Sequence, residues 1–154
     1  MADTDLNAGT LTVTITEALS VGHDTGTSDA RDFAQVSTHA YTGILNSSKR
    51  IVKLANTNLT EVATFGATTA DGAFVRADVK YIRVTNLDGT TALQVGLDDE
   101  ASDAAYTSVA ANSSIMYTGT TVEGGNGGST LDNATALKVK GVADHQLEVF
   151  IASV

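Results

Sequence analysis

Residues 10–16 read Thr-Leu-Thr-Val-Thr-Ile-Thr and alternate strictly between apolar and polar. A period of two places Leu11, Val13 and Ile15 on one face and Thr10, Thr12, Thr14 and Thr16 on the other. This is the signature of a half-buried antiparallel strand with a threonine face toward solvent or a partner. Residues 33–45 alternate more weakly, with Phe33, Val36, Tyr41, Ile44 and Leu45 as the large side chains, which predicts a strand with a bulge. Residues 49–55 and 60–65 read as two strands joined by Asn56-Thr57-Asn58. The strongest strand is 79–85, where Val79, Tyr81 and Arg83 would share one face and Lys80, Ile82 and Val84 the other. Asp88-Gly89 can take positive φ, so a turn over 86–90 would lead to a hairpin partner at 91–97. Residues 106–111 and 114–119 predict another short pair. Residues 134–140 and 146–151 predict a closing pair around 141–144.

No stretch carries a long helical apolar stripe. Eight or nine short strands separated by turn residues predict an all-β fold, an antiparallel β-sandwich of jelly-roll type. No repeat of fixed period points to a propeller or a β-helix. The expected organisation is an N-terminal arm over residues 1–9 and a single β-sandwich domain over 10–154. Residues 21–29 are rich in turn formers. The run Glu123-Gly-Gly-Asn-Gly-Gly-Ser129 is a flexible loop that is costly to order.

Composition narrows this picture. The 154 residues suit one domain, and a chain of that size removes roughly 70% of its unfolded surface from water. There is no Cys, Pro or Trp, so disulfides, thiolate metal sites and a cysteine nucleophile are all excluded. Hydrophobic residues make up 42% of the chain and aromatics only 5%; the core must be built from Val, Ile, Leu and Ala. Charged residues are 18%, below the roughly 25% of average domains. The β-branched threonines suit a pleated, half-buried surface.

The formal net charge is −9. Binding a duplex requires Lys and Arg to neutralise phosphates, and nine basic against eighteen acidic residues argue against nucleic acid and against anionic membranes. The acidity keeps a surface protein soluble. Residues 1–9 contain no apolar signal segment, and no window approaches the 18 apolar residues of a membrane span. The chain is thus expected to be made in a cytoplasm and to stay unexported by a signal peptide. The triplets at Asn58 and Asn133 are then strand composition and not glycan sites.

Candidate chemistry is sparse. His23, His39 and His145 are far apart in sequence, with no second His or carboxylate at a metal-helix spacing, and are expected at the surface or in loops. Asp98, Asp99, Glu100 and Asp103 offer hard oxygens of the kind Ca²⁺ takes, but without the glycine and terminal glutamate of an EF-hand loop they read as a solvated acidic turn. Asp24, Asp29 and Asp32 read the same way. No Gly-x-Ser-x-Gly elbow is present, and the glycine run lacks the Lys-Ser/Thr ending of a phosphate loop. Lys80, Tyr81 and Arg83 come closest to the basic and aromatic mixture of an oligonucleotide-binding face, in acidic surroundings. No catalytic, cofactor-binding or metal residue is assigned, and the chain is expected not to be an enzyme. Its weakly charged strand edges, with no proline guard, invite association, so partner chains are expected to cover some of them.

One stretch, Gly72-Ala-Phe-Val-Arg-Ala-Asp-Val-Lys-Tyr-Ile-Arg-Val-Thr-Asn-Leu-Asp88 followed by Leu93-Gln-Val-Gly-Leu97, resembles small jelly-roll structural proteins of tailed bacteriophages, especially phages of aquatic bacteria. The closing strands over 134–151 are similar to theirs too, so the resemblance spans roughly the last half of the chain. It implies a virion component, a capsid decoration (cement) protein that forms a homo-oligomer, typically a trimer, over contacts of the major capsid protein. The alternatives are a tail, neck or fibre-associated virion protein, or a carbohydrate-binding β-sandwich module. The resemblance rests on strand and turn residues and carries no binding residue over to this chain.

Overall fold

The computed structural model describes residues 8–19, 33–68, 73–99, 106–118, 123–124, 128–129 and 134–154. They form β1 (Gly9–Leu19), β2 (Phe33–Ile44), β3 (Asn46–Lys53), β4 (Thr60–Gly66), β5 (Ala73–Val75), β6 (Val79–Asn86), β7 (Leu93–Asp99), β8 (Tyr106–Val109), β9 (Ser114–Thr118), the two-residue pair β10 (Glu123–Gly124) and β11 (Gly128–Ser129), β12 (Ala134–Lys140) and β13 (Gln146–Ser153). A single 3₁₀ turn, Arg76–Asp78, joins β5 to β6. The protein is all-β, as its periodicity predicts. Eleven strands exceed two residues, rather than eight or nine. The strand that periodicity does not announce is the short β5, which has too few residues to show an alternation.

Two sheets make the sandwich. One has the order β3-β13-β6-β9 and the other β5-β4-β12-β7-β8. With β5 set aside as a short parallel addition to β4, the remaining eight strands, counted in chain order, lie 1-8-3-6 against 2-7-4-5. That is the jelly-roll arrangement of two four-stranded sheets. Ile82, Val84, Leu147, Val149 and Ile151 of one sheet meet Leu93, Val95, Leu137 and Val139 of the other, and all are buried. The core is aliphatic, with Phe65 against Phe74 (centroids 6.5 Å apart) on its flank.

The turns behave differently from the sequence expectation. Residues 86–90 do not close a hairpin. β6 pairs with β13 and β9, whereas β7 pairs with β12 and β8. The same holds for β3 to β4, β8 to β9 and β12 to β13: each short connection crosses from one sheet to the other. Strand alternation is identical for a hairpin and for an arch between sheets. Only long-range pairing decides which forms.

A second correction concerns Val79. The register between β13 and β6 shifts between Ala152 and Ser153, so that Tyr81 lies opposite Ala152 and Val79 opposite Ser153. The extra residue, Lys80, makes a bulge. Val79 therefore turns into the core, while Tyr81 and Arg83 stay on the outer face of the sheet.

β1 and β2 form a two-stranded ribbon of their own. Leu11 faces Tyr41, Val13 faces His39 and Ile15 faces Ser37 on one side, and Thr10, Thr12, Thr14 and Thr16 line the other. β2 enters β3 through Gly43, at φ +77°, and Leu45, whose N–H donates to the Ser153 carbonyl at 3.0 Å. The arm expected over residues 1–9 lies, up to residue 7, outside the described residues.

Candidate functional site

The outer face of the β3-β13-β6-β9 sheet carries a cluster of polar and aromatic side chains. Register places Lys49 (β3), Phe150 (β13), Arg83 (β6) and Met116 (β9) in one row across the sheet, with Ser47, Ala152, Tyr81 and Thr118 in the row beside it. From its row Arg83 reaches diagonally to Glu148, Nη2 to Oε1 at 2.7 Å, and Lys49 reaches the other oxygen at 3.1 Å. Diagonal partners on one sheet face are within reach of such long side chains. Glu148 is thus held from both neighbouring strands. The Arg83 and Lys49 bonds keep its carboxyl below the ordinary carboxylate value. The Arg83 guanidinium carbon lies 5.9 Å from the Phe150 ring centroid, a cation–π separation.

The ribbon is seated on this face. The Tyr41 ring meets Tyr81 at 5.9 Å, and Tyr81 meets Phe150 edge-on at 5.8 Å. Burial pushes the Tyr81 phenol up, against the opposing effect of Arg83. The seat is incomplete. A cleft of about 330 Å³ lies between Leu11, Thr12, Val13 and Thr14 of the ribbon and Lys49, Tyr81, Arg83 and Phe150 of the sheet. A smaller one, about 180 Å³, lies at the ribbon's base near Gly9, Ser47 and Ala152. Away from the seat the apolar side chains stay in water: Ile51 is 65% exposed and Val36 on the ribbon 64%.

The histidines part company. His23 lies outside the described residues. His39 is exposed on β2, opposite Val13. His145, expected at the surface or in a loop, is in the turn after β12 but is 1% exposed. Its Nε2 lies 2.7 Å from Asn86 Oδ1. The Asn86 amide donates to the carbonyls of Thr91 (2.8 Å), Val109 (3.2 Å) and Ala110 (3.1 Å), which fixes its oxygen toward the imidazole and toward the Asp88 N–H at 3.0 Å. The His145 Nε2 is therefore the protonated nitrogen, and Nδ1 is buried with no hydrogen-bond partner. This pair ties together three turns at one end of the sandwich. Its hydrogen bonds run to the backbone of the turns around it, the arrangement of a structural pin.

Of the acidic candidates, Asp98 lies on β7 and forms an ion pair with Lys138 of β12, which raises the Lys138 pKa through that bond. Asp99 ends β7. Glu100, Asp103, Asp24, Asp29 and Asp32 lie outside the described residues. Among the described residues no three His, Asp or Glu side chains converge as a cation site would require. Lys80 is the extra residue of the bulge before Tyr81, and Arg83 is engaged by Glu148. The Gly-rich run places β10 against β11, with Glu123 opposite Ser129; residues 125–127 lie outside the description.

Periodicity held two clues to these contacts. Asn86 has the parity of Ile82 and Val84, so a polar side chain was due inside the sandwich at the end of its strongest strand. Glu148 and Phe150 alternate against Leu147 and Val149, which marks them as partners for whatever lies on the outer face. The ribbon has no such signature: strand alternation in 10–16 does not say which sheet the strand joins.

No protein-family model, curated protein or solved structure matches the chain.

Proposed function

We propose that the chain is a non-enzymatic structural protein that works by associating with copies of itself and with a shell, as a capsid decoration protein on a tailed-phage virion. The observation that carries this reading is the ribbon. An isolated two-stranded hairpin is marginal in water, and independent stability needs a third strand or a packed face. Here Leu11–Thr14 and Tyr41 of the ribbon lie against the sandwich. On the ribbon's threonine face Val36, opposite Thr16, is exposed. Such an element gains its stability from neighbours in an assembly.

The sheet edges support the same reading. β3 is guarded by Lys49, Arg50 and Lys53, the device by which edge strands avoid pairing. β8 and β9, on the opposite side of the sandwich, contain no charged residue, and each leaves a large side chain, Tyr106 and Met116, partly in water. The virion setting, the trimeric state and the major capsid protein as partner rest on the resemblance of residues 72–88 and 93–97. The uses made of the polar groups agree with a structural role: His145 is consumed by Asn86, and Glu148 by Arg83 and Lys49.

Electron microscopy of the particle whose genome encodes the chain tests this. The reading expects density for the sandwich on the outer shell, over contacts between capsid subunits. Purified particles that lack the chain would overturn it, and density on tail, neck or fibre would move the protein within the virion.

A further inference from the structure

We infer that β9 pairs edge to edge with β9 of a second copy, antiparallel and about a two-fold axis through Met116. This rests on the self-association proposed above and names one surface that makes it. β9 closes the β3-β13-β6-β9 sheet, and among the described residues no strand pairs with its outer side. Its backbone there is set by β6. The Asn86 N–H donates to the Ser113 carbonyl at 2.8 Å, and the register runs on from Thr85–Ser114 to Tyr81–Thr118. Bonded and non-bonded pairs alternate along an antiparallel ladder. Ile115 and Tyr117 therefore turn their N–H and C=O groups toward β6, and Ser114, Met116 and Thr118 turn theirs outward. An open row of such groups is a template for another strand.

The sequence of β9, Ser-Ile-Met-Tyr-Thr, makes that strand a second β9. Laid antiparallel on itself about Met116, it sets Ser114 opposite Thr118, Ile115 opposite Tyr117 and Met116 opposite Met116. Hydroxyl meets hydroxyl and apolar meets apolar, pairings that stabilise a sheet, and no charge faces another. A two-fold contact requires this self-complementarity. The bonding parity agrees, because the axis pairs the outward-bonding residues with one another. Faces agree too: Met116 of the outer face meets its own copy, while Ile115 and Tyr117, only partly buried against the core within one chain, meet each other. Two other edges lack this match. An axis through Ile51 of β3 would set Lys49 against Lys53, like charges directly opposite. β8 paired with itself over its whole length would set exposed Tyr106 beside buried Val109, outer face against core. The contact is two-fold, so it adds to the three-fold contact that the resemblance implies and links one oligomer to the next.

The chain has no cysteine, so single cysteines report the contact. In a bonded antiparallel pair the facing Cα atoms stand about 5.5 Å apart, within the span of a disulfide. Full-length Met116→Cys is oxidised with copper–phenanthroline beside two controls. Ser114→Cys lies on the same strand, but the axis holds its two copies about 13 Å apart at roughly 3.3 Å per residue. Ile51→Cys lies on the lysine-guarded edge and is exposed. The inference predicts that Met116→Cys forms a covalent dimer several-fold faster than either control, and that Ser114→Cys mixed with Thr118→Cys gives a heterodimer. Equal rates at 116, 114 and 51 would overturn it. Sedimentation of the unoxidised parent separates the two ideas. Oligomers with equal rates would overturn the β9 contact and leave self-association standing. Monomers with equal rates would overturn both.

Discussion

The imidazole Nε2 of His145 lies 2.7 Å from the side-chain oxygen of Asn86, with both residues buried. One amide thereby satisfies the carbonyls of Thr91, Val109 and Ala110 and holds a ring from the far turn. The pin connects the arches β6–β7, β8–β9 and β12–β13, which are the crossings that make two sheets into one sandwich.

Asn86→Ala leaves several buried polar groups unpaired, each of which costs about 1–3 kcal/mol. Asn86→Asp is expected to be worse, because a carboxylate would face three carbonyl oxygens where the amide donates. Chemical denaturation of the two variants checks the order; equal stability of Asn86→Asp and the parent would show that the pin contributes nothing.

Gly141 underlies the same ring. A methyl group there would stand 2.8 Å from His145 Nδ1 and 3.0 Å from Leu54 Cδ1. The ring cannot retreat while Asn86 holds it. Overpacking of this kind costs typically about 1–3 kcal/mol, so Gly141→Ala should lower the melting temperature measurably. In the Asn86→Ala background, where the ring is released, the same change should cost less.

Ile82 lies fully buried at the centre of the sheet, between Ile151 and Tyr117. Ile82→Ala should cost about 2–5 kcal/mol. A loss below about half a kcal/mol, the range of surface substitutions, would mean that this strand is peripheral.

Acid should weaken the fold through two carboxylates. The Thr90 and Thr91 N–H groups and the Thr90 hydroxyl hold the Asp88 carboxyl below its ordinary 3.8, and Arg83 and Lys49 hold Glu148 below its ordinary 4.5. Both pKa values are depressed in the folded state. Their stabilisation is therefore complete above the ordinary values and is lost as pH falls through the folded ones. Melting temperature followed from neutral pH to below 3.8 should decline, and less steeply for Glu148→Gln, whose baseline is lower. Parallel curves for variant and parent would contradict the assignment.

The sandwich was largely legible in the sequence because burial on one face imposes a period of two on every strand. Ile82, Val84, Leu147 and Val149 are all where that period puts them. The arches, the bulge at Lys80 and the ribbon were not legible. Each depends on which distant strand supplies the hydrogen bonds, and alternation is silent on that. His145 lies in a loop as expected, but its burial was not legible for a related reason: a turn residue flanked by Asp144 and Gln146 carries no local sign that Asn86, fifty-nine residues away, will draw it inside.

The central claim is that this chain works as an assembled protein, and its native mass tests that most directly. Light scattering coupled to size exclusion at micromolar concentration should return a multiple of the 15.8 kDa chain, a trimer by the proposed reading. A single 15.8 kDa species at every concentration, with no binding to capsid shells, would contradict the account.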